Sequence, residues 1–251
     1  MSELFNAILY QPIFNAFVAL YNLIPDVGAV ILIVTILIKL VLYPTTSKSI
    51  KAQKALTELQ PKLEEIKQKY KGDQQRIAQE TMKLYKEHKV NPLGSCLPLL
   101  VQLPIFIALY WVLRAALTSD NFDLLYSFVK SPGHINSVTL GLFDLSKNGN
   151  IFLALLAGGA QFLQAKMFSH KKPPVEAGKG AKDESMSAMM NKQMTYFMPF
   201  ITVIIGFQLP AGLALYWFLS TGLTALQQVL LFKKKDEGNG PGGVVEGKIV
   251  K

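Results

Sequence analysis

Lys39 offers the clearest chemistry in this sequence. It is the single formal charge between Val27 and Ser47, in an otherwise apolar run. A lysine at the centre of a membrane span costs about 2.5–3.5 kcal/mol on insertion scales, and such a group usually faces a protein interior or a water-filled cavity. Pro44 follows closely, so a second reading stays open in which Lys39 lies near a helix end and snorkels to the interface. Hydrogen-bonding side chains recur at helical spacing in this and other apolar runs. Thr35 precedes Lys39 by one turn and shares its face. Gln102 with Tyr110, and Gln161 with Gln164, mark two more stretches. Tyr216, Ser220, Thr224 and Gln227 form a stripe near the C-terminus, flanked by Trp217, Thr221 and Gln228. Any one stripe is what ordinary interhelix hydrogen bonding would produce. Four stripes and one cation together point to a shared hydrophilic groove.

Such a groove could capture an anion reversibly. No Asp or Glu lies in the apolar runs, so the ammonium has no resident counterion there. An incoming carboxylate at about 4 Å would gain roughly 4 kcal/mol at an effective dielectric near 20. The missing acids argue against a proton relay or a cation transporter, and no His–Glu pair or Ser/Lys/Asp set suggests an intramembrane protease. A single cysteine, Cys96, excludes an internal disulfide framework, and His88, His134 and His170 are too far apart to make a ligand motif. The chain is therefore expected to be neither a metalloprotein nor a covalent enzyme, and to need no cofactor.

The elements that hold these residues follow from charge segregation. Blocks 27–47, 93–113, 149–165 and 193–232 contain one charge, Lys39, in a chain that is 17% charged. That excludes a soluble enzyme or a disordered chain and indicates an all-α membrane protein. A bilayer core about 30 Å thick takes about 20 helical residues, so block 193–232 is two crossings, with Pro210-Ala211-Gly212 supplying the turn. The expectation is five spans, at 27–47, 93–113, 149–166, 193–209 and 213–232, around a hydrophilic groove. Residues 1–26, with Asn6, Gln11, Pro12, Asn15 and Asn22 opposite Phe5, Ile8, Phe14, Phe17, Val18 and Tyr21, read as an amphipathic helix on the outer surface, not a span or a cleaved signal. Lys and Arg crowd segments 48–92 and 166–192 and the tail from Lys233, whereas residues 1–26 have none. All three basic segments fall on one side of a five-span chain. That side is the cytoplasm, with the N-terminus outside and the C-terminus inside. The formal charge of +9 thus reports orientation rather than nucleic acid, for which no reading motif is present.

Segment 48–92 is expected to fold on its own account. Leu56, Leu59, Leu63, Ile66 and Tyr70, then Ile77, Thr81, Leu84 and His88 with Met82 and Tyr85 alongside, give two helical patterns across Lys71-Gly72-Asp73. They predict an antiparallel hairpin, either a solvated loop held by its own seam or a mobile docking lever; Pro61 should bend its first arm. Residues 169–185 are Lys-, Pro- and Gly-rich and read as disordered. Met186, Met190, Met194 and Met198 form a stripe that fits interhelix packing or an adaptable apolar contact. Residues 233–251 read as a basic flexible cytoplasmic tail.

Several motifs resemble the YidC–Oxa–Alb membrane protein insertase family. They are Thr35-Ile-Leu-Ile-Lys39-Leu-Val-Leu-Tyr43-Pro44, Leu59-Gln60-Pro61-Lys62, Leu84-Tyr85-Lys86, Asn91-Pro92-Leu93-Gly94, Cys96-Leu-Pro98 through Gln102-Leu-Pro104-Ile-Phe, Phe197-Met198-Pro199, and Leu209-Pro210-Ala-Gly212 through Tyr216-Trp217 to Gln227-Gln228. The resemblance runs in order from about residue 3 to 232 and is closest to the compact five-span bacterial form. It implies a monomeric core with a positively charged groove open to cytoplasm and lipid but closed outward. The family's groove cation, usually Arg, falls on Lys39, which keeps the charge and loses the bidentate fork. The substrate slide falls around Thr35, Tyr216 and Trp217. The form expected lacks the large periplasmic domain and extra N-terminal span of one branch and the lipobox cysteine of another, since Cys96 sits in span two.

The function implied is that of a membrane protein insertase and chaperone in the bacterial plasma (inner) membrane. Its groove of Lys39, Thr35, Gln102, Gln161, Gln164, Tyr216, Trp217, Ser220 and Thr224 would receive hydrophobic segments of nascent membrane proteins and release them laterally into lipid. Nascent membrane proteins and lipid are the implied partners, with the Sec translocon and the ribosome as further candidates and no DNA; the short tail argues against strong autonomous ribosome binding. Two other classes compete on the residues alone: a small-solute or anion transporter using Lys39, and a non-inserting assembly scaffold.

Overall fold

The computed structural model describes residues 3–95, 97–119, 122–168 and 193–238. Eight helices dominate the described residues. Helix α1 (Glu3–Leu23) contains a π-helical turn at Asn6–Tyr10. Helix α2 (Val27–Glu58) is followed by α3 (Gln60–Lys69) and α4 (Gln74–Glu87). Then come α5 (Leu97–Arg114), α6 (Ile151–Phe168), α7 (Met198–Gln208) and α8 (Ala211–Gly238). A two-stranded antiparallel hairpin, β1 (Val138–Thr139) and β2 (Phe143–Asp144), lies between α5 and α6.

By length and composition α1, α2, α5 and α8 can cross a bilayer, whereas the apolar helical stretches Ile151–Met167 in α6 and Thr195–Gln208, which takes in α7 and the π-helical turn before it, are shorter. The helices are apolar on the outside as well as the inside. Leu40 and Val41 of α2, Leu100 and Leu103 of α5, Leu155 and Leu163 of α6, and Leu226 and Leu230 of α8 are all exposed. A helix bundle whose outer surface is leucine is built for lipid, where the backbone must be satisfied within each helix. The interior joins α1, α2, α5 and α8 through Phe14, Phe17, Val18, Val30, Val34, Leu109, Val112, Leu213 and Tyr216.

Helix α2 runs well past the expected end of the first span at residue 47. It runs for 32 residues, about 48 Å, with Pro44 inside it. A proline there removes one backbone donor, but neighbouring side chains and helices can make good the loss. The cytoplasmic half of α2 is held by other elements. Ser49 Oγ donates to the Gly94 carbonyl at 2.5 Å, Gln227 Nε2 donates to Ser47 Oγ at 2.9 Å, and the Lys54 ammonium lies 4.4 Å from the centre of the Phe232 ring. The real break comes at Leu59. Pro61 therefore sits in the first turn of α3, where a missing N–H is harmless, instead of bending an arm. The hairpin itself forms as expected: Gly72 takes φ 94° in the turn, Asp73 caps α4 through Arg76 N at 2.9 Å, and Leu59, Leu63 and Leu84 are buried.

The polar residues of α1 serve the segment after α5. Asn15 Oδ1 accepts from Tyr126 N at 2.6 Å while its Nδ2 donates to the Leu124 carbonyl at 3.0 Å. Gln11 Nε2 donates to the same carbonyl at 3.2 Å, and Asn22 Nδ2 donates to the Lys130 carbonyl at 2.8 Å. Asp26 caps α2 through Ala29 N at 2.9 Å and also accepts from the Thr139 hydroxyl at 2.6 Å and Leu140 N at 3.0 Å. Burial opposes the charged form of Asp26, but the Thr139 hydroxyl and the N–H groups of Ala29, Leu140 and Gly28 outweigh it and hold the carboxyl below its ordinary range. Asp144 is held well below the usual range by the Ser146 hydroxyl, against its own burial, with help from Ser137 and Lys147.

The turn between α7 and α8 falls at Leu209–Pro210, as the sequence led us to expect, although Gly212 has a different role there. It lies in α8, and a Cβ on it would sit 3.3 Å from Ile31, Leu113 and the Leu145 carbonyl, so it serves close packing and not chain reversal. Of the methionine stripe, Met186 and Met190 lie outside the described residues, and Met198 opens α7. Segment 169–185, Cys96 and residues 239–251 also lie outside them, while α8 continues to Gly238, beyond the expected start of the tail at Lys233.

Adjacent glycines on α6 test the packing. A Cβ on Gly158 would lie 2.4 Å from Val203 Cγ2 and 3.0 Å from the Pro199 carbonyl, whereas one on Gly159 meets nothing within 4 Å. Gly158→Ala is therefore expected to destabilise the protein in detergent by about 1–3 kcal/mol, as overpacking does. Gly159→Ala should leave it unchanged or slightly more stable, because alanine is the better helix former. Thermal unfolding of the two variants side by side checks this.

Candidate functional site

Helices α2 and α8 lie side by side and run in the same direction. Ile31 meets Gly212, Lys39 meets Thr224, Ser47 meets Gln227 and Lys54 meets Phe232. This ladder follows about 30 Å of helix, the thickness of a hydrocarbon core. About 20 Å of helix rise separates Lys39 from Asp26 at one end, and about 22 Å separates it from Lys54 at the other. Because α2 continues past Pro44, that proline does not bring Lys39 to a helix end.

Lys39 is half-buried, and its ammonium donates to Thr224 Oγ1 at 2.8 Å. The Thr224 hydroxyl in turn donates to the Ser220 carbonyl at 2.8 Å, so one neutral oxygen relays the cation's hydrogen bond to the α8 backbone. Among the described residues no carboxylate pairs with Lys39. A charged donor on a neutral acceptor is held, but its charge is not neutralised. Below this contact on the same seam, Gln227 Nε2 spans Ser47 Oγ at 2.9 Å and the Tyr43 carbonyl at 3.4 Å. Above it, Gln102 of α5 donates to the hydroxyl of Tyr216, which is 1% exposed. Trp217 is half-buried with its ring edge-on to Phe106, centres 5.2 Å apart.

The expected groove residues therefore divide. Lys39, Thr224, Ser220, Tyr216 and Gln102 come together along α2, α8 and α5, with Trp217 beside them. Thr35 shares the Lys39 face but is fully buried, its hydroxyl donating to its own helix at the Ile31 carbonyl, 2.6 Å away. Gln161 points elsewhere. Its Oε1 accepts from Thr202, so it joins α6 to α7 and does not reach Lys39. Gln164 is half-buried on α6. Sequence reasoning missed Ser47 and Thr202, which look like any small polar residue until a partner far along the chain is known. Gln227 was visible as the end of the α8 stripe. Gln228, beside it, is 1% exposed with Oε1 unpartnered among the described residues.

Two hollows lie away from this seam. One, of about 260 Å³, is lined by Tyr110, Arg114, Ser146, Asn148 and Gln208 near the α7–α8 turn. The other lies on α4 beside Ala78, Met82 and Lys86. At the Asp26 end, main-chain bonds tie the start of α8 to the segment before α6: Gly212 N donates to the Leu145 carbonyl and Ala211 N to the Lys147 carbonyl, both at 2.9 Å.

A seam of this kind, inside a bundle with a lipid-compatible surface, has relatives. A family model described as "60Kd inner membrane protein" matches residues 19–238. The chain belongs to this family. A membrane protein insertase YidC of Fusobacterium nucleatum is 39% identical over 207 residues, covering 82% of this chain and 86% of that protein. One of the same name from Actinobacillus succinogenes is 37% identical over 224 residues, and there this chain spans 36% of the relative's length. A crystal structure of an active YidC insertase with its first transmembrane domain resolved is 26% identical with a TM-score of 0.57, covering 92% of this chain and 47% of that one. Family membership makes the chain a membrane protein insertase and multi-pass protein of the bacterial inner membrane.

The Gln102–Tyr216 contact gives a direct test of the seam. Gln102→Leu and Tyr216→Phe, singly and together, form a double-mutant cycle. The two changes should couple by about 0.6–1.7 kcal/mol, the range seen for interhelix hydrogen bonds in membranes. Unfolding of the four chains in mixed micelles measures the coupling, and additive effects would show that the pair contributes no interaction of its own.

Proposed function

We propose that the α2–α8 seam is the substrate groove, and that Lys39 is its receiving charge. The reading rests on one observation: a cation within the apolar part of a candidate membrane span, about 20 Å of helix from its Asp26 end, is bonded to a neutral hydroxyl and has no carboxylate partner among the described residues. A resident counterion would have made Lys39 structural. A hydroxyl leaves the positive field available to an acidic residue in the polar flank of an incoming segment. That attraction is worth roughly 4 kcal/mol at 4 Å and a dielectric near 20, enough to hold a segment briefly and weak enough to let it go.

In this mechanism the polar side chains of the seam replace part of the hydration that a short hydrophilic segment loses on entering the inner leaflet. Hydrophobic partitioning of the following apolar segment, with the membrane potential acting on negative charges, then draws the polar flank outward and frees the span sideways into lipid. Trp217 and the exposed apolar faces of α2 and α8 form the slide. Five spans, α2, α5, α6, α7 and α8, cross with the N-terminus outside and the C-terminus in the cytoplasm. The parallel run of α2 and α8 supports three crossings between them, since the first and fifth spans must cross in the same sense; the sidedness rests on the Lys and Arg distribution. Helix α1 lies on the outer surface, where its Asn and Gln side chains already serve the segment after α5. Residues 1–26, 27–232 and 233–251 act as surface helix, insertase core and basic tail. The α3–α4 hairpin within 48–92 is the cytoplasmic docking element, working for a monomer that can take substrates from a ribosome or beside the Sec translocon.

The charge itself is the test. In proteoliposomes with an imposed potential, Lys39→Arg should insert an acidic-tailed single-span substrate at near the native level. Lys39→Ala should cut insertion about tenfold or more, and Lys39→Glu further, because about 1.4 kcal/mol corresponds to each tenfold. Undiminished insertion by Lys39→Glu would remove the capture step. Saturable flux of small anions without any effect on insertion would point to a transporter instead.

A further inference from the structure

Three leucines at the Asp26 end of the molecule are almost fully open: Leu23 and Leu140 at 78% and Leu142 at 76% exposure. They are not scattered. Leu140 and Leu142 form the tip of the β1–β2 hairpin, on either side of Gly141. Leu140 N donates to Asp26 Oδ2 at 3.0 Å, and Leu23 ends α1 three residues before Asp26. The tip is held in a demanding shape, with Leu140 at φ 51°, in the left-handed region that favours glycine. From Ser131 to Phe143 the chain carries no Lys, Arg, Asp or Glu.

What covers this tip follows from its level and its neighbours. Asp26 is the N-cap of α2, so it marks the end of a membrane span, and a hydrogen bond to that carboxylate fixes the tip at the depth where the span meets the interface. Phe143, next to Leu142, stacks on Phe152 with ring centres 5.8 Å apart and planes 7° from parallel. Phe152 lies in the first turn of α6 and is itself exposed, as are Ile151 and Leu155, which carry the same surface down that helix. The hairpin is thus continuous with the lipid-facing surface of α6. An uncharged tip at that depth meets acyl chains more readily than water.

We propose that the β1–β2 hairpin is an interfacial anchor, its Leu140 and Leu142 side chains immersed in the outer leaflet beside the N-terminus of α6. The occupant is lipid, not a second protein. Immersion holds Thr139 and Leu140 on Asp26, so that lipid contact helps keep that end of the α2–α8 seam covered. The inference rests on reading α2 and α6 as spans; it does not depend on the role of Lys39.

The test uses the full chain in phosphatidylethanolamine–phosphatidylglycerol vesicles, with Cys96→Ser and one environment-sensitive fluorophore at Leu140→Cys, Leu142→Cys or Lys147→Cys. Lys147 is an exposed position at the same end of the molecule. Nitroxide-bearing lipids should quench labels 140 and 142 several-fold more than label 147, and aqueous iodide should do the reverse. Iodide quenching at 140 and 142 equal to that at 147 would overturn the proposal. So would shielding from both quenchers, which would mean that protein covers the tip. Emission from Trp111 and Trp217 reports whether each chain is folded. For a variant that fails, Leu140→Trp or Leu142→Trp with brominated lipids replaces it, and absence of quenching above the native background overturns the proposal in the same way. A quenching pattern that contradicted the anchor while Lys39 variants still lost insertion would leave the proposed function standing.

Discussion

A positive charge about 20 Å along a membrane helix must be held by something, and here it is held by a threonine hydroxyl. That contact, Lys39 to Thr224 at 2.8 Å, constrains much of the surrounding architecture. It requires α8 to lie beside α2 at this level, and it places the hydroxyl where the Ser220 carbonyl can fix its direction. It also leaves the charge without a carboxylate partner among the described residues. Replacing Thr224 by an acid would satisfy the ammonium permanently, and replacing Lys39 by an apolar residue would make α2 an ordinary packing helix. The observed arrangement lies between these limits, and the proposed capture of a passing carboxylate depends on that incompleteness.

Around this contact the two ends of the seam are tied by hydrogen bonds, and the flanks are apolar. At the Asp26 end, one carboxylate caps α2 and binds the β1–β2 hairpin, while Gly212 lets α8 approach Ile31, Leu113 and the Leu145 carbonyl. At the other end the seam is held by Gln227 on Ser47 and by Lys54 over the Phe232 ring, contacts that leave several basic residues of 48–71 at the surface. A segment that carries negative charge would meet a basic approach before it met Lys39. The order of charges along α2 thus follows the direction in which a substrate would travel.

Much of this was legible in the residues, for identifiable reasons. Charge exclusion from the apolar blocks is a property of the bilayer and needs no partner, so the helices and the Leu209–Pro210 turn could be placed from the sequence. Lys39 drew attention because an intramembrane lysine is expensive wherever it points. What stayed hidden was pairing over long range. Pro44 left open a helix end near Lys39, yet α2 continues to Glu58, and Gly94, Gln227 and Phe232 contact its far half. Gln161 read as groove lining, and only the position of Thr202 on α7 shows that it joins two other helices. Asn15 and Gln11 read as the polar face of an amphipathic helix, and only Leu124 and Tyr126 show that this face meets protein. Periodicity gives the face of a helix; it does not say which neighbour that face meets.

The central claim is that the Lys39 position is reachable by water and by anions from the cytoplasmic side. The most direct measurement is the labelling of Lys39→Cys in a Cys96→Ser chain, in sealed vesicles of known orientation, by a membrane-impermeant anionic thiol reagent. Position 41, on the exposed apolar face of α2, serves as the comparison. Rapid modification is expected at 39 when the reagent is on the cytoplasmic side, little from the other side, and little at 41 from either. Modification at 39 no faster than at 41 would place the ammonium in hydrocarbon or sealed protein and contradict the account.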